Sequence, residues 1–186
     1  MRVIAGKFKG RRLTTPKNLT VRPTTDRVKE SVFSILQEKV INARFLDLCS
    51  GTGNIGIEAL SRGAKQVTFL ERNLKCLRLI EQNLQACGLD ASNPQVQLIQ
   101  ADVVKGINTL HKRSEAFELV YFDPPYDAEL YNKCLSHISD TCILESIGIL
   151  LVEHSIHTLL PLNFGLLTCD RQKQYGDICL SFYRYL

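Results

Sequence analysis

The sequence predicts an α/β fold, in which a mostly parallel sheet is covered by helices on both faces and closed by an antiparallel C-terminal edge. Three observations carry that expectation. From Arg44 onward, short apolar runs alternate with segments of helical periodicity, the order that joins parallel strands through helical crossovers. The first run leads directly into a glycine loop that opens a helix, the junction at which such sheets hold ligands. The 186 residues, 45% hydrophobic and 23% charged, suffice for one core without disulfide or metal staples.

The elements follow in order. Val3-Ile4-Ala5 and Arg12-Leu13-Thr14, on either side of Gly10, can pair as a small hairpin. Thr25 or Asp26 can cap a helix with Val28, Val32, Ile35 and Leu36 on its apolar face and Phe33 off that stripe. Phe45 to Cys49 reads as a strand, and Asn54 to Arg62 as a helix stopped by Gly63. Val67 to Leu70 is the second strand. Asn73 caps the next helix, with Leu74, Leu77, Ile80 and Leu84 inward and a stop near Gly88. Val96 to Ile99, Phe117 to Phe122 and Ile147 to Val152 are further strands, separated by helices over Asp102 to His111 and Ala128 to Ile138. Leu166 to Gln172 and Ile178 to Tyr183, split by Tyr175-Gly176-Asp177, form a closing hairpin and bring the count to seven strands. Residues 1–25 read as a basic arm and 26–186 as the domain proper.

No run of about 18 apolar residues is present, so a transmembrane helix is not expected. The N-terminus turns basic before a secretory signal could develop. The seven cysteines, odd in number and without a C-x-x-C pair, read as reduced, buried small hydrophobes of a cytoplasmic protein. His154 and His157 have no Cys/His cluster to accompany them, so no metal site is expected. Charge is uneven. Residues 1–30 hold nine bases and two acids, whereas the remaining chain is slightly acidic. Lys7, Lys9, Arg11 and Arg12 therefore suit either a polyanionic partner or a solvated surface ribbon.

Gly51-Thr52-Gly53-Asn54-Ile55-Gly56 is a G-x-G-x-x-G between strand and helix, with Glu71 twenty residues beyond Gly51. Taken literally this is a dinucleotide fingerprint. Asp47, four residues before Gly51, argues against a pyrophosphate, which it would repel, and for a ligand bearing an α-ammonium group, such as S-adenosylmethionine. Glu71 is placed to accept from ribose hydroxyls. Asp102 can accept from an adenine amine or simply cap the next helix.

Asp123-Pro124-Pro125-Tyr126 closes the fourth strand. An exocyclic amine of a nucleobase is a poor nucleophile because its lone pair is delocalised into the ring. A carboxylate and a proline carbonyl accepting its two N–H bonds can turn that lone pair toward an electrophile, and prolines offer no competing donor. Tyr126 supplies a face for stacking an extruded base. Cys49 beside the loop reads as packing, since amine methylation needs no covalent intermediate.

Val120 through Tyr126, together with Asp47-Leu48-Cys49-Ser50-Gly51-Thr52-Gly53, resembles the signature of methyltransferases acting on exocyclic base amines. Arg2-Val3-Ile4-Ala5-Gly6, the stretch from Leu19 to Phe33, Glu58 to Ala64 and Tyr175-Gly176-Asp177 extend the likeness across the chain, to the RsmD-like 16S rRNA guanine-N2 methyltransferases. Cys49-Ser50 stands where many members carry an aromatic and an alanine. The resemblance implies a Rossmann-like methyltransferase sheet whose last strand inserts antiparallel. It also implies S-adenosyl-L-methionine near Asp47, Gly51, Gly53, Glu71, Asp102 and Val103, with Asp123, Pro124, Pro125 and Tyr126 around the target amine. Arg22 and Thr24 would lie near cofactor or target, and the partner would be ribosomal RNA or an assembling small subunit, met by a monomer. Three other readings stand beside it: a DNA adenine or cytosine amino-methyltransferase, an NAD-dependent oxidoreductase, and a non-catalytic RNA-binding module.

Overall fold

The computed structural model describes residues 1–15, 26–125 and 128–185. Its centre is one sheet of eight strands in the order β3-β2-β1-β4-β5-β8-β7-β6. The parallel half comprises β1 (Arg44–Leu48), β2 (Gln66–Glu71), β3 (Val96–Gln100), β4 (Phe117–Phe122) and β5 (Leu144–Ser155). β6 (Asn163–Phe164), β7 (Leu167–Tyr175) and β8 (Ile178–Tyr185) complete it. All seven anticipated strands form. The eighth, β6, is a two-residue edge folded onto β7 through Gly165 at φ 54°, too short to leave a period in the sequence. Apolar patterning suggested an antiparallel edge, but β8 lies inside the sheet, antiparallel to both β5 and β7. The resemblance implied that insertion.

Strand alternation sorts the side chains onto two faces. Phe45, Val67, Phe69, Leu119, Tyr121 and Leu151 meet α1 (Asp26–Leu36), α2 (Asn54–Ser61) and α3 (Leu74–Ala86). Leu46, Leu48, Val120, Phe122 and Val152 meet α4 (Val103–Lys112) and α5 (Ala128–Thr141). Among the described residues no helix is long and apolar enough to cross a membrane.

Some side chains depart from the periodic expectation. Phe33 is buried and stacks on Phe45 with ring centroids 6.4 Å apart, while Ile35 is only half-buried. A wide ring fills the space over β1 better than the stripe position does. Leu74 opens α3 at the sheet's carboxyl end and stays exposed. Cys76, Cys87 and Cys134 are buried as expected, but Cys49, Cys169 and Cys179 are partly exposed and Cys142 fully so.

Residues 1–15 pack on the same core. Arg2 bridges Arg12, and Val3 donates to the Arg11 carbonyl at 2.9 Å. Val3, Phe8 and Leu13 are buried under this small hairpin, which covers α2 so completely that all eight of its residues are buried. The contact is polar as well as apolar. Glu58 accepts the backbone N–H groups of Ile4 and Ala5 and the Arg62 Nε, and Ser61 accepts those of Lys7 and Phe8. Lys29, wholly buried, donates from Nζ to the Arg2 carbonyl at 2.6 Å and to Asn54 Oδ1 at 2.7 Å, and lies 3.4 Å from Glu58.

Candidate active site

The carboxyl ends of β1, β2, β3, β4 and β5 bring Asp47, Glu71, Asp102, Asp123 and Glu153 to one rim of the sheet. The glycine loop crosses that rim. Cys49, Gly51 and Gly53 all have positive φ, of 61°, 55° and 74°, and turn the chain from β1 into α2. Ser50 holds the turn, its Oγ donating to the Asp47 carbonyl at 2.6 Å and its own carbonyl accepting from Gly53 at 2.7 Å. Glycine is required at position 56, where a Cβ would stand 2.3 Å from Phe69 Cε1.

The carboxylates have separate tasks. Glu71 grips the loop: one oxygen accepts the Gly51 N–H at 2.9 Å, the other the Asn73 N–H at 2.8 Å. Each oxygen keeps a second lone pair, so hydroxyl donors can still be received. Asp47, 2% exposed, accepts the Gly56 N–H at 2.9 Å. Burial, with the Glu71 charge adding to it, pushes its carboxyl up to about 7. Asp102 caps α4, accepting from Val104 N–H at 3.1 Å, and its side chain is otherwise exposed; Val103 beside it is buried.

Asp123 is half-buried, Pro124 buried and Pro125 exposed. Burial, Glu153 and Asp47 together raise the Asp123 carboxyl well above the usual carboxylate range. The thiol of Cys49, at the start of the loop, is likewise pushed well up by burial and by Glu71, so it stays a thiol. Tyr126, Arg22 and Thr24 fall outside the described residues.

The rim therefore unites Asp47, Gly51, Gly53, Glu71, Asp102, Val103, Asp123 and Pro124. It does not include the basic residues. Lys7, Lys9, Arg11 and Arg12 are exposed on the hairpin, and Lys7 bonds Ser61 at the far end of α2, about 12 Å along the helix from the loop. Sequence reasoning missed Glu153 and its partner Tyr121, whose hydroxyl donates to Glu153. A signal was present: the Leu150-Leu151-Val152 run ends in an acid just as Val120-Tyr121-Phe122 does.

Residues 1–184 match the family model described as conserved hypothetical protein 95. The chain belongs to that family. Curated relatives span the whole fold: Bacillus subtilis YlbH, named as a candidate rRNA methyltransferase, is 34% identical over 184 residues, covering 99% of this chain and 98% of YlbH. The Haemophilus influenzae ribosomal RNA small subunit methyltransferase D is 32% identical over 186 residues, covering 99% and 93%. Among solved structures, the Escherichia coli candidate methyltransferase yhhF superposes with a TM-score of 0.84 at 26% identity, covering 100% of this chain and 97% of that one. The family resemblance thus extends to the hairpin that covers α2 as well as to the sheet.

Proposed function

We propose that the chain transfers the methyl group of S-adenosyl-L-methionine to the exocyclic N2 amine of a guanine in 16S ribosomal RNA, working in the cytoplasm as a monomer on the RNA or the assembling small subunit. The relatives named as small-subunit rRNA methyltransferases support the reaction class. One observation carries the chemistry. The acceptor pair of Asp123 and Pro124 leaves β4 directly beside the glycine loop of β1, since Leu48 and Phe122 are register partners.

The rim fits such a cofactor. A left-handed glycine loop over a helix N-terminus leaves room for close approach, and carboxylates ring it where hydroxyl, amine and ammonium donors need acceptors. Glu71 would receive ribose hydroxyls on its remaining lone pairs, Asp102 the adenine amine, and Asp47 would place negative charge beneath the α-ammonium. When bound, the cofactor supplies an electrophilic methyl on a positively charged sulfur. The Asp123 carboxylate and the Pro124 carbonyl accept the two N–H bonds of the target amine and aim its lone pair along the line of displacement. Tyr126 would stack the extruded base, with Arg22 and Thr24 close by. Lys7, Lys9, Arg11 and Arg12 would meet phosphates along the hairpin, so the RNA footprint would run from the rim down the side of α2.

The test is Asp123→Ala, assayed by nucleoside mass spectrometry on small-subunit RNA from a strain lacking the gene. Methyl transfer should fall at least about a hundredfold, or roughly 2.7 kcal/mol of barrier, with a far smaller change in cofactor affinity. Near-normal turnover would overturn the reading.

A further inference from the structure

β4 and β5 run parallel with Phe122 opposite Val152, so Asp123 and Glu153, the next residues along each strand, stand side by side at the rim. Alternation puts both on the face of Tyr121, whose phenol donates to Glu153 Oε2. Glu153 is 4% exposed, and its backbone is pinned from α5 by the Tyr131 hydroxyl, which donates to the Glu153 carbonyl at 2.9 Å. Burying a second carboxylate against the first is costly, and orientation of the amine by Asp123 does not require it.

Resting on the function proposed above, we infer that Glu153, anchored by Tyr121, is the positioning residue that makes Asp123 the proton acceptor for the methylated amine. In the transfer, the amine lone pair forms the N–C bond as the C–S bond breaks and its electrons stay on sulfur. The nitrogen then carries the methyl, two protons and a positive charge. One proton passes to the Asp123 carboxylate, leaving a neutral secondary amine and a neutral acid. Because the protonated exocyclic amine is a strong acid, the step needs a carboxylate placed against the nitrogen that keeps the proton once it has it.

The surroundings of Asp123 favour keeping it. The charges acting on Asp123 are Glu153 from β5 and Asp47 from β1, with Tyr121 bonded to Glu153; the Cys49 thiol in turn feels Glu71, Cys134 of α5, Asp123 and Asp47. Burial and the charges of Glu153 and Asp47 push the Asp123 carboxyl up, while the Tyr121 phenol, donating to Glu153 Oε2, holds the Glu153 carboxylate in place. A proton released by the amine is therefore kept at the Asp123–Glu153 pair rather than returned to the nitrogen.

Glu153→Gln keeps the volume and removes the charge. With the wild-type chain active on small-subunit RNA, this variant should lose at least about tenfold in kcat and move the acid limb of its kcat–pH profile down by about one unit or more. Cofactor affinity by calorimetry should stay within about twofold, and Glu153→Asp, which retains the charge, should restore the limb. Wild-type kcat and profile in the Gln variant would overturn the inference alone. Absence of transfer by the wild-type chain would overturn the functional reading and the inference with it. Should the Gln variant not fold, Tyr121→Phe must lower kcat at least about threefold with cofactor affinity unchanged; an unaltered kcat there also overturns it.

Discussion

Lys29→Met probes the joint between the hairpin and the sheet domain. Methionine follows the lysine stem through the same space, so the change deletes charge and donors while nearly preserving packing. Three interactions of Nζ disappear: the bonds to the Arg2 carbonyl and Asn54 Oδ1, and the ion pair with Glu58. Both charged side chains are fully buried, and removing one member of such a pair costs about 3–5 kcal/mol. The lower end applies, because Glu58 keeps the Arg62 Nε at 2.8 Å and the N–H groups of Ile4 and Ala5. Burial already lowers the Lys29 ammonium, outweighing the opposing pull of Glu58 and Asp26, so part of the loss is offset by relieved desolvation. The expected destabilisation is about 3 kcal/mol, which at a urea slope of about 2 kcal/mol/M moves the midpoint down by about 1.5 M. Equilibrium urea unfolding followed by circular dichroism measures it. A midpoint shift under about 0.3 M would refute the idea that this buried pair fastens the hairpin.

Glu71→Ala frees the Gly51 and Asn73 N–H groups and should weaken S-adenosyl-L-methionine binding by roughly tenfold or more; calorimetry giving unchanged affinity in a folded variant would remove Glu71 from the site. Replacing Lys7, Lys9, Arg11 and Arg12 together with Ala should reduce the salt slope of RNA binding by up to about 3–4 while leaving cofactor affinity alone, and an unchanged slope would make the hairpin a solvated ribbon. Asp47 has a folded pKa raised to about 7, so the folded state binds the extra proton and stability is lost as pH rises from the unfolded value of 3.8 toward 7. Asp47→Asn should therefore stabilise the cofactor-free protein more at pH 8 than at pH 5, by about 2 kcal/mol, in urea titrations at the two pH values; equal gains would mean the carboxyl is not held up by its burial.

The parallel strands were legible because each is an apolar run bounded by turn residues, and Gly51, Gly53 and Glu71 were legible because loop geometry restricts residue choice. Other features depend on partners distant in sequence. Phe33 is buried by Phe45 on the facing strand β1, not by its own helix period. Leu74 fits the apolar stripe of α3 yet lies past the sheet's rim, where no element covers it among the described residues. Glu71 read as a ligand acceptor, but its bond to the Gly51 N–H appears only once β1 and β2 are paired. Glu153 was hidden for the same reason: one acid on a strand says nothing until register sets it beside another.

The insertion of β8 between β5 and β7 has a consequence for how the polypeptide is made. A ribosome delivers β1 to β5 first, and these can pair as they emerge. The open flank of β5, where Leu150, Leu151 and Val152 are fully buried in the finished protein, must then wait through residues 156–185 for its neighbour. At ordinary elongation rates that interval is roughly 2–6 s. Nor can β7 and β6 shield the flank meanwhile, because their only route into the sheet is through β8. Until β8 is made, the nascent chain thus carries an unpaired apolar strand edge, the condition under which strands recruit foreign partners. Deleting residues 178–185 would leave β7 and β6, two of the eight strands, with no neighbour to join them to the sheet, so β8 is among the least expendable parts of the molecule.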